Sequence, residues 1–273
     1  MTIKAQDVKE LREKTGLGMM ECKKALEQAN GNIDDAIKNL RKSSALKAEK
    51  KASRTAVEGI ITSNISKKEI IFVEVNCETD FVAKDENFIN FCEETLKVAV
   101  EASSEDNLLN VVSENMEKQR MSLVQKIGEN IIIRKVKKIT GEVLESYIHS
   151  NKKIAAGVSL EQGSPEIAKE VAMHIAATNP IVLSPEDLDE SYINSEREIF
   201  RSQVEKENKP EEIKEKMIQG KLNKQLADVS LLKQAFVKDP SKTVEAFLFE
   251  SNAKISSFIR IEVGEGIEDK KKD

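Results

Sequence analysis

Apolar positions along this chain change period several times, and each change marks an element. Val8 and Leu11 open a short helical pattern that stops near Thr15-Gly16. Met19, Cys22, Leu26 and Ala29 recur at helical spacing up to the Asn30-Gly31 turn. Asn32, a good N-cap, then precedes Ile33, Ala36, Ile37 and Leu40 on one face. Three short helices enclose only a small core, which predicts a docking unit with no cleft for chemistry. Met19 and Met20 are neighbours, about 100° apart around a helix, so both cannot point into that core and one is expected at the surface. Arg41 to Arg54, RKSSALKAEKKASR, has one acid among its basic residues and reads as a linker or a solvated helix.

Beyond it the period shortens to that of strands. Val57 to Ile65 and Ile70 to Val75 form a hairpin pattern around Ser66-Lys67-Lys68. Helical stretches follow from Glu86 to Val100 and from about Glu114 to Ile127, then a strand from Ile131 to Ile139. The same order recurs. Val143 to His149 and Ile154 to Leu160 form a second hairpin, Ser164-Pro165 opens a helix with Ser as N-cap, Ser241 opens another, and Ile255 to Val263 closes as a strand. Between the two later helices, Asn179-Pro180 and Ser184-Pro185 bound an insertion. There Ile193, Phe200 and Val204, then Ile213, Met217, Ile218, Leu222 and Leu226, form a thin seam broken at Lys209-Pro210. This predicts an antiparallel helical hairpin whose exposed apolar surface is open to a partner or to a second copy of the chain. The pattern is that of an α+β protein with helices packed on small antiparallel sheets.

The junction EVNCETDFVAK, Glu74 to Lys84, sets Asp80 beside Phe81 where a strand pattern gives way to a helix pattern. Two readings stand there. Asp85 caps the following helix while Phe81 folds back on it as a hydrophobic staple, or the loop presents both residues outward.

Composition narrows the class. The 273 residues leave room for about two domains. Charged residues make up 33 %, aromatics 4 %, and the formal charge is −5, which disfavours direct nucleic-acid binding. Cys22, Cys77 and Cys92 are widely spaced and odd in number, so a reducing, cytoplasmic setting is expected without disulfides. The N-terminus has no apolar signal region, and no run approaches the roughly eighteen apolar residues of a membrane span. His149 and His174 lie on different elements outside metal-ligand spacings and read as hydrogen-bonded structural histidines. Gly16-Leu17-Gly18 lacks the third glycine and the preceding strand of a dinucleotide site. Gly220-Lys221 lacks the rest of a phosphate loop. No nucleophile elbow or paired-cysteine motif occurs, so no catalytic residue, metal or cofactor is expected.

Two long stretches, LREKTGLGMMECKKAL (Leu11 to Leu26) and EVNCETDFVAK, resemble the signature segments of bacterial elongation factor Ts. The resemblance continues through KIGENI (Lys126 to Ile131), Tyr147-x-His149, MHIAATNP (Met173 to Pro180), DPSKTV (Asp239 to Val244) and FIRIEVGEGIE (Phe258 to Glu268). It implies a ubiquitin-associated-like three-helix domain over 1–42, a basic linker over 43–55 and a core N-subdomain over 56–140. A related core C-subdomain then covers 141–180 and 229–264, with an inserted hairpin over 181–228 and a charged tail over 265–273. It also implies the partner, elongation factor Tu in GDP-bound and nucleotide-free states, with guanine-nucleotide exchange as the activity. Thr79, Asp80, Phe81 and Val82 would be the wedge that dislodges the partner's magnesium. Leu11, Met19, Met20 and His149 would contact the partner. Glu78 stands where relatives often carry Gln and adds a negative charge beside Asp80. The alternative function is a ubiquitin-associated-type or ribosome-associated adaptor without exchange activity.

Overall fold

A computed structural model describes residues 3–66 and 68–267. Helices α1 (Ala5–Thr15), α2 (Met19–Gln28) and α3 (Ile33–Lys51) enclose Val8, Leu11, Leu17, Cys22, Ala25, Leu26, Ala36 and Leu40. Gly16 ends α1 in the left-handed region at φ 67, where glycine avoids a Cβ penalty. Asn32 caps α3 by accepting the Asp35 N–H at 3.1 Å. Leu11 is fully buried, which corrects its expected place at a partner surface. Its helix offers only Val8 and Leu11 to a small core, and the core takes both. Met19 and Met20, 61 % and 75 % exposed, both face solvent, because they fill the first turn of α2 before its buried face begins at Cys22.

The stretch expected as a basic linker is helical as far as Lys51. Ser44 and Ala48 extend the Leu40 face at i+4 spacing, and these small side chains let the helix lie close against its neighbours. Ala48 joins the apolar cluster of the next unit, and Lys51 donates to the Gly128 carbonyl. The segment is therefore a packed strut.

Strands β1 (Glu58–Ile65) and β2 (Glu69–Cys77) form the first hairpin, whose turn residue 67 lies outside the described residues. Helices α4 (Glu86–Glu101) and α5 (Leu108–Ile127) follow, then β3 (Ile132–Thr140), giving an antiparallel sheet of order β1-β2-β3. Helix α5 begins earlier than its clearest spacing indicates, since Leu108, Leu109 and Val112 also pack on the sheet. Strands β4 (Val143–Ile148) and β5 (Ile154–Gln162) and helix α6 (Pro165–Thr178) open the second half. Helices α7 (Glu190–Val204) and α8 (Glu211–Asp228) form the inserted hairpin around buried Val204, Ile218 and Leu222. The ribbon β6 (Ala235–Phe236) and β7 (Asp239–Thr243), helix α9 (Val244–Glu250) and β8 (Lys254–Glu262) complete the chain, with sheet order β4-β5-β8.

Two expected caps differ. Ser164 makes no side-chain capping bond to α6. Thr243, not Ser241, caps α9 by accepting the Ala246 N–H at 3.2 Å, because Ser241 is held in the turn by the Asp239 carboxylate.

The alternation of each sheet sends one face to helices and the other to the opposite sheet. Ile71, Val73 and Val75 meet Phe88, Phe91 and Met116, while Ala156, Val158 and Leu160 meet Val171, Ile175 and Leu248. Between the sheets, Ile61, Ile70, Phe72 and Ile139 pack with Leu144, Ala155 and Ile261. Strand β2 is thus covered on both faces, which explains its near-continuous apolar run. Glu74, buried in that strand, is neutralised by Arg134 at 2.9 Å and Lys135 at 3.3 Å. Of the expected charged tail, the part beyond residue 267 lies outside the described residues, and Glu265 faces Lys135 and Arg260.

Candidate functional site

Strand β2 ends at Cys77, and the next eight residues lead into α4 through a single 3-10 turn, Val82–Lys84. Asp85 caps α4 as the sequence predicts, accepting the N–H groups of Asn87 at 2.8 Å and Phe88 at 3.3 Å. These bonds hold its carboxyl below the ordinary range, led by that from the Asn87 side chain. The staple expected as its companion is not formed. Phe81 is 80 % exposed and is not covered by the helix.

The base of this loop is held firmly. Glu129 accepts the N–H groups of Glu78 and Thr79, each at 3.0 Å, and the Thr79 hydroxyl at 2.7 Å. In return the Glu78 carboxylate accepts the Asn130 N–H at 2.6 Å and faces Arg54 at 3.5 Å. Glu78 therefore turns toward Asn130 and Arg54, and its charge is engaged there. The Cys77 thiol, raised to about 12 by burial, remains protonated and donates to the Thr79 carbonyl at 3.2 Å. Ala83 is buried, its N–H on the Thr79 carbonyl, and Val82 packs half-buried on the α4 cluster. Of the four residues expected to act together, Thr79 and Val82 anchor the loop while Asp80 and Phe81 form its tip. Asp80 accepts from Lys84 at 2.8 Å, and that bond, ahead of the charge attraction, lowers its pKa. The tip is an ionised carboxylate beside an uncovered ring.

Three other sequence-predicted residues, Met19, Met20 and His149, lie on elements tied to the same end. The Gly16 corner before Met19 abuts Lys126, which donates to Asn87 at 2.6 Å on the first turn of α4. Glu21, in the turn of α2 that carries Met19 and Met20, accepts from Gln125 of α5 at 2.8 Å and from Lys47. His149 is exposed on the β4–β5 turn, its Nδ1 2.9 Å from the Tyr147 hydroxyl. That turn meets β1 through the Ile61 N–H on the Lys152 carbonyl, 2.8 Å, and the Lys153–Glu58 pair. Glu58 is the ladder partner of Cys77, so the turn sits beside the strand from which the loop departs. Leu11 alone is withdrawn, as described above.

His174 takes no part in this surface. It is buried, with Nε2 2.9 Å from the Gln234 side-chain oxygen and Nδ1 accepting the Val237 N–H at 3.1 Å. Glu129 and Asn130, within the KIGENI segment, and Arg54 carry the loop, but nothing in the sequence pairs them with it. The local structural signal there is Gly128, a left-handed helix end at φ 89 that turns the chain back toward β2. Among the described residues, no cluster of His, Cys, Asp and Glu is arranged to hold a metal ion, and no helix is long and apolar enough to cross a membrane.

A sequence model of the family described as Elongation factor TS matches residues 78–265. The protein named Elongation factor Ts from Teredinibacter turnerae is 51 % identical, covering 100 % of this chain and 94 % of its own length. Its namesake from Marinobacter nauticus is 49 % identical over 99 % of this chain and 94 % of its own. That from Francisella tularensis subsp. novicida is 48 % identical over 99 % and 95 %.

Proposed function

The chain belongs to the elongation factor Ts family of translation elongation factors, and from that premise we propose that it binds elongation factor Tu carrying GDP and accelerates release of the nucleotide. The observation that carries the proposal is Phe81, an exposed ring on an anchored base. A ring uncovered in the free protein gives up no internal packing when it enters a partner, so its burial there is favourable, at about 1.5–3 kcal/mol for a fully buried side chain. In this reading Phe81 inserts between helices of the partner's nucleotide-binding domain, and Asp80 disturbs the polar shell around its magnesium ion. Losing the ion removes the largest local charge opposing the diphosphate, and GDP leaves faster. The nucleotide-free complex then accepts GTP. By linkage, the factor by which this chain weakens nucleotide is the factor by which nucleotide weakens this chain, so rebinding ejects it. No bond is made or broken, and the protein acts as an exchange factor in the cytoplasm.

The rest of the architecture serves presentation in the same proposal. The three-helix unit is the ubiquitin-associated-like domain, docking on the nucleotide-binding domain through Met19 and Met20. His149 approaches that domain from the adjacent turn. The two sheet-and-helix units are the related halves of the core, and the second touches a different domain of the partner. The α7–α8 hairpin is an additional contact surface, for the partner or for a second copy. An adaptor without exchange activity is the competing reading, favoured by the exposed methionine pair; it predicts capture of ribosomes and no capture of elongation factor Tu.

Release of fluorescent GDP from elongation factor Tu, followed by stopped flow, tests the proposal. Asp80→Ala and Phe81→Ala are each expected to lower the accelerated rate by about tenfold or more, since a small displacement of an acting group has effects of that order. Wild-type rates in both variants would refute the assignment of the tip.

A further inference from the structure

We infer that Glu129 is a positioning residue for nucleotide release, setting the direction in which Asp80 and Phe81 leave the protein; this rests on the exchange reading above. The loop tip has little of its own to fix it. Among the described residues Asp80 pairs with Lys84 alone, an exposed pair of small worth, and Phe81 is 80 % exposed. The fixed point lies one residue earlier, where a single Glu129 oxygen accepts two successive backbone N–H groups and the other accepts the Thr79 hydroxyl. Two adjacent amides aimed at one oxygen fix the orientation of the Cys77–Glu78 and Glu78–Thr79 peptides, and hence the direction in which the chain leaves toward residue 80. Charge-assisted bonds of this kind are roughly twice as strong as neutral ones.

The clamp is reciprocal. Glu78 returns a bond to the Asn130 N–H, so two carboxylates on separate segments brace each other across the gap between β2 and β3. The Gly128-Glu129-Asn130 corner also receives the end of the α3 strut. Lys51 donates to the Gly128 carbonyl, and the buried Asn130 side chain donates to the Arg54 carbonyl at 2.8 Å. Three residues thereby join the unit that carries the methionine pair to the base of the tip, and both surfaces are registered on one rigid corner. Glu129 is half-buried, with both oxygens engaged by Glu78 and Thr79, so its effect on release operates through Thr79.

The test uses the full chain with elongation factor Tu and fluorescent GDP, separating the release rate at saturation from the concentration giving half of it. Glu129→Ala is expected to cut the saturating rate about tenfold or more while moving the half-saturating concentration less than about threefold. Glu129→Gln keeps one oxygen for the two amides and places an N–H against the Thr79 hydroxyl, which can accept; it is expected to retain most of the rate. Thr79→Val keeps both backbone amides on Glu129 and removes only the hydroxyl's bonds, the one to Glu129 and a long one accepted from the Val82 N–H at 3.4 Å, so it serves as a milder probe if the alanine variant does not fold. Its effect should not add to that of Glu129→Gln, since both act on one contact. A saturating rate within about twofold of wild type for both Glu129→Ala and Thr79→Val, or a change confined to half-saturation, overturns the inference. Phe81→Ala, measured in parallel, separates the two claims. If Phe81→Ala is slow and the Glu129 and Thr79 variants are fast, the clamp is wrong and the tip stands; if Phe81→Ala is also fast, both fall.

Discussion

His174 shows how one side chain is committed entirely to the fold. One ring nitrogen accepts the Val237 N–H, the other meets Gln234, and the ring lies 5.8 Å from Phe236, which stacks on Phe247 at 4.2 Å. Accepting at Nδ1 requires the neutral tautomer with its proton on Nε2. Burial pushes its pKa below the ordinary 6.5, partly offset by the Gln234 bond. The unfolded chain therefore takes up this proton more readily than the native one. The associated stability is fully present above the unfolded value and is lost as pH falls from there through the folded one. In urea unfolding, stability should decline on acidification below about pH 6.5, and the His174 ring resonance should titrate below that ordinary value. His174→Ala should cost roughly 1–3 kcal/mol by leaving buried groups without partners. At this scale the sequence was partly legible. The caps at Asn32 and Asp85 follow from residue type and position, and a structural role for His174 follows from its apolar surroundings. Leu11 and Glu129 were not. Whether one apolar side chain faces core or solvent depends on how many others its helix offers. The partners of Glu129 lie some fifty positions away in sequence, beyond any local pattern.

Elements show a similar division. Strong periods located the strands and most helices, because alternation and 3.6-residue spacing are direct consequences of burying one face. Over 43–51 a helix is one of two readings, a linker or a solvated helix, but its packed face is hidden by its own composition. Ser44 and Ala48 bury little area each, so a seat made of small residues carries almost no hydropathic signal. Small residues matter again where the sheets meet. A Cβ on Gly157 would lie 2.7 Å from a ring carbon of Phe72, whose side chain is fully buried between the sheets. Gly157→Ala should destabilise by about 1–3 kcal/mol, as overpacking does, and lower the thermal midpoint measured by circular dichroism.

For the whole molecule, the α7–α8 insertion is attached at a narrow neck. The Ile181 N–H meets the Val229 carbonyl at 2.8 Å, Leu231 returns to Val182 at 2.9 Å and Leu232 to Leu183 at 3.0 Å. Because the ends of the insertion already touch, excising residues 185–228 with a short glycine-serine bridge should leave the remaining sheets cooperative in thermal unfolding; non-cooperative loss would place the hairpin inside the folding unit. Sedimentation of the same variant would read whether the arm holds two copies together. The ring at position 81 has a different standing from either core or arm. Among the described residues it buries little, so a library filtered only for resistance to proteases would drift there toward polar residues while keeping Thr79 and Ala83. On the proposed reading, the phenylalanine there answers to a surface outside the molecule.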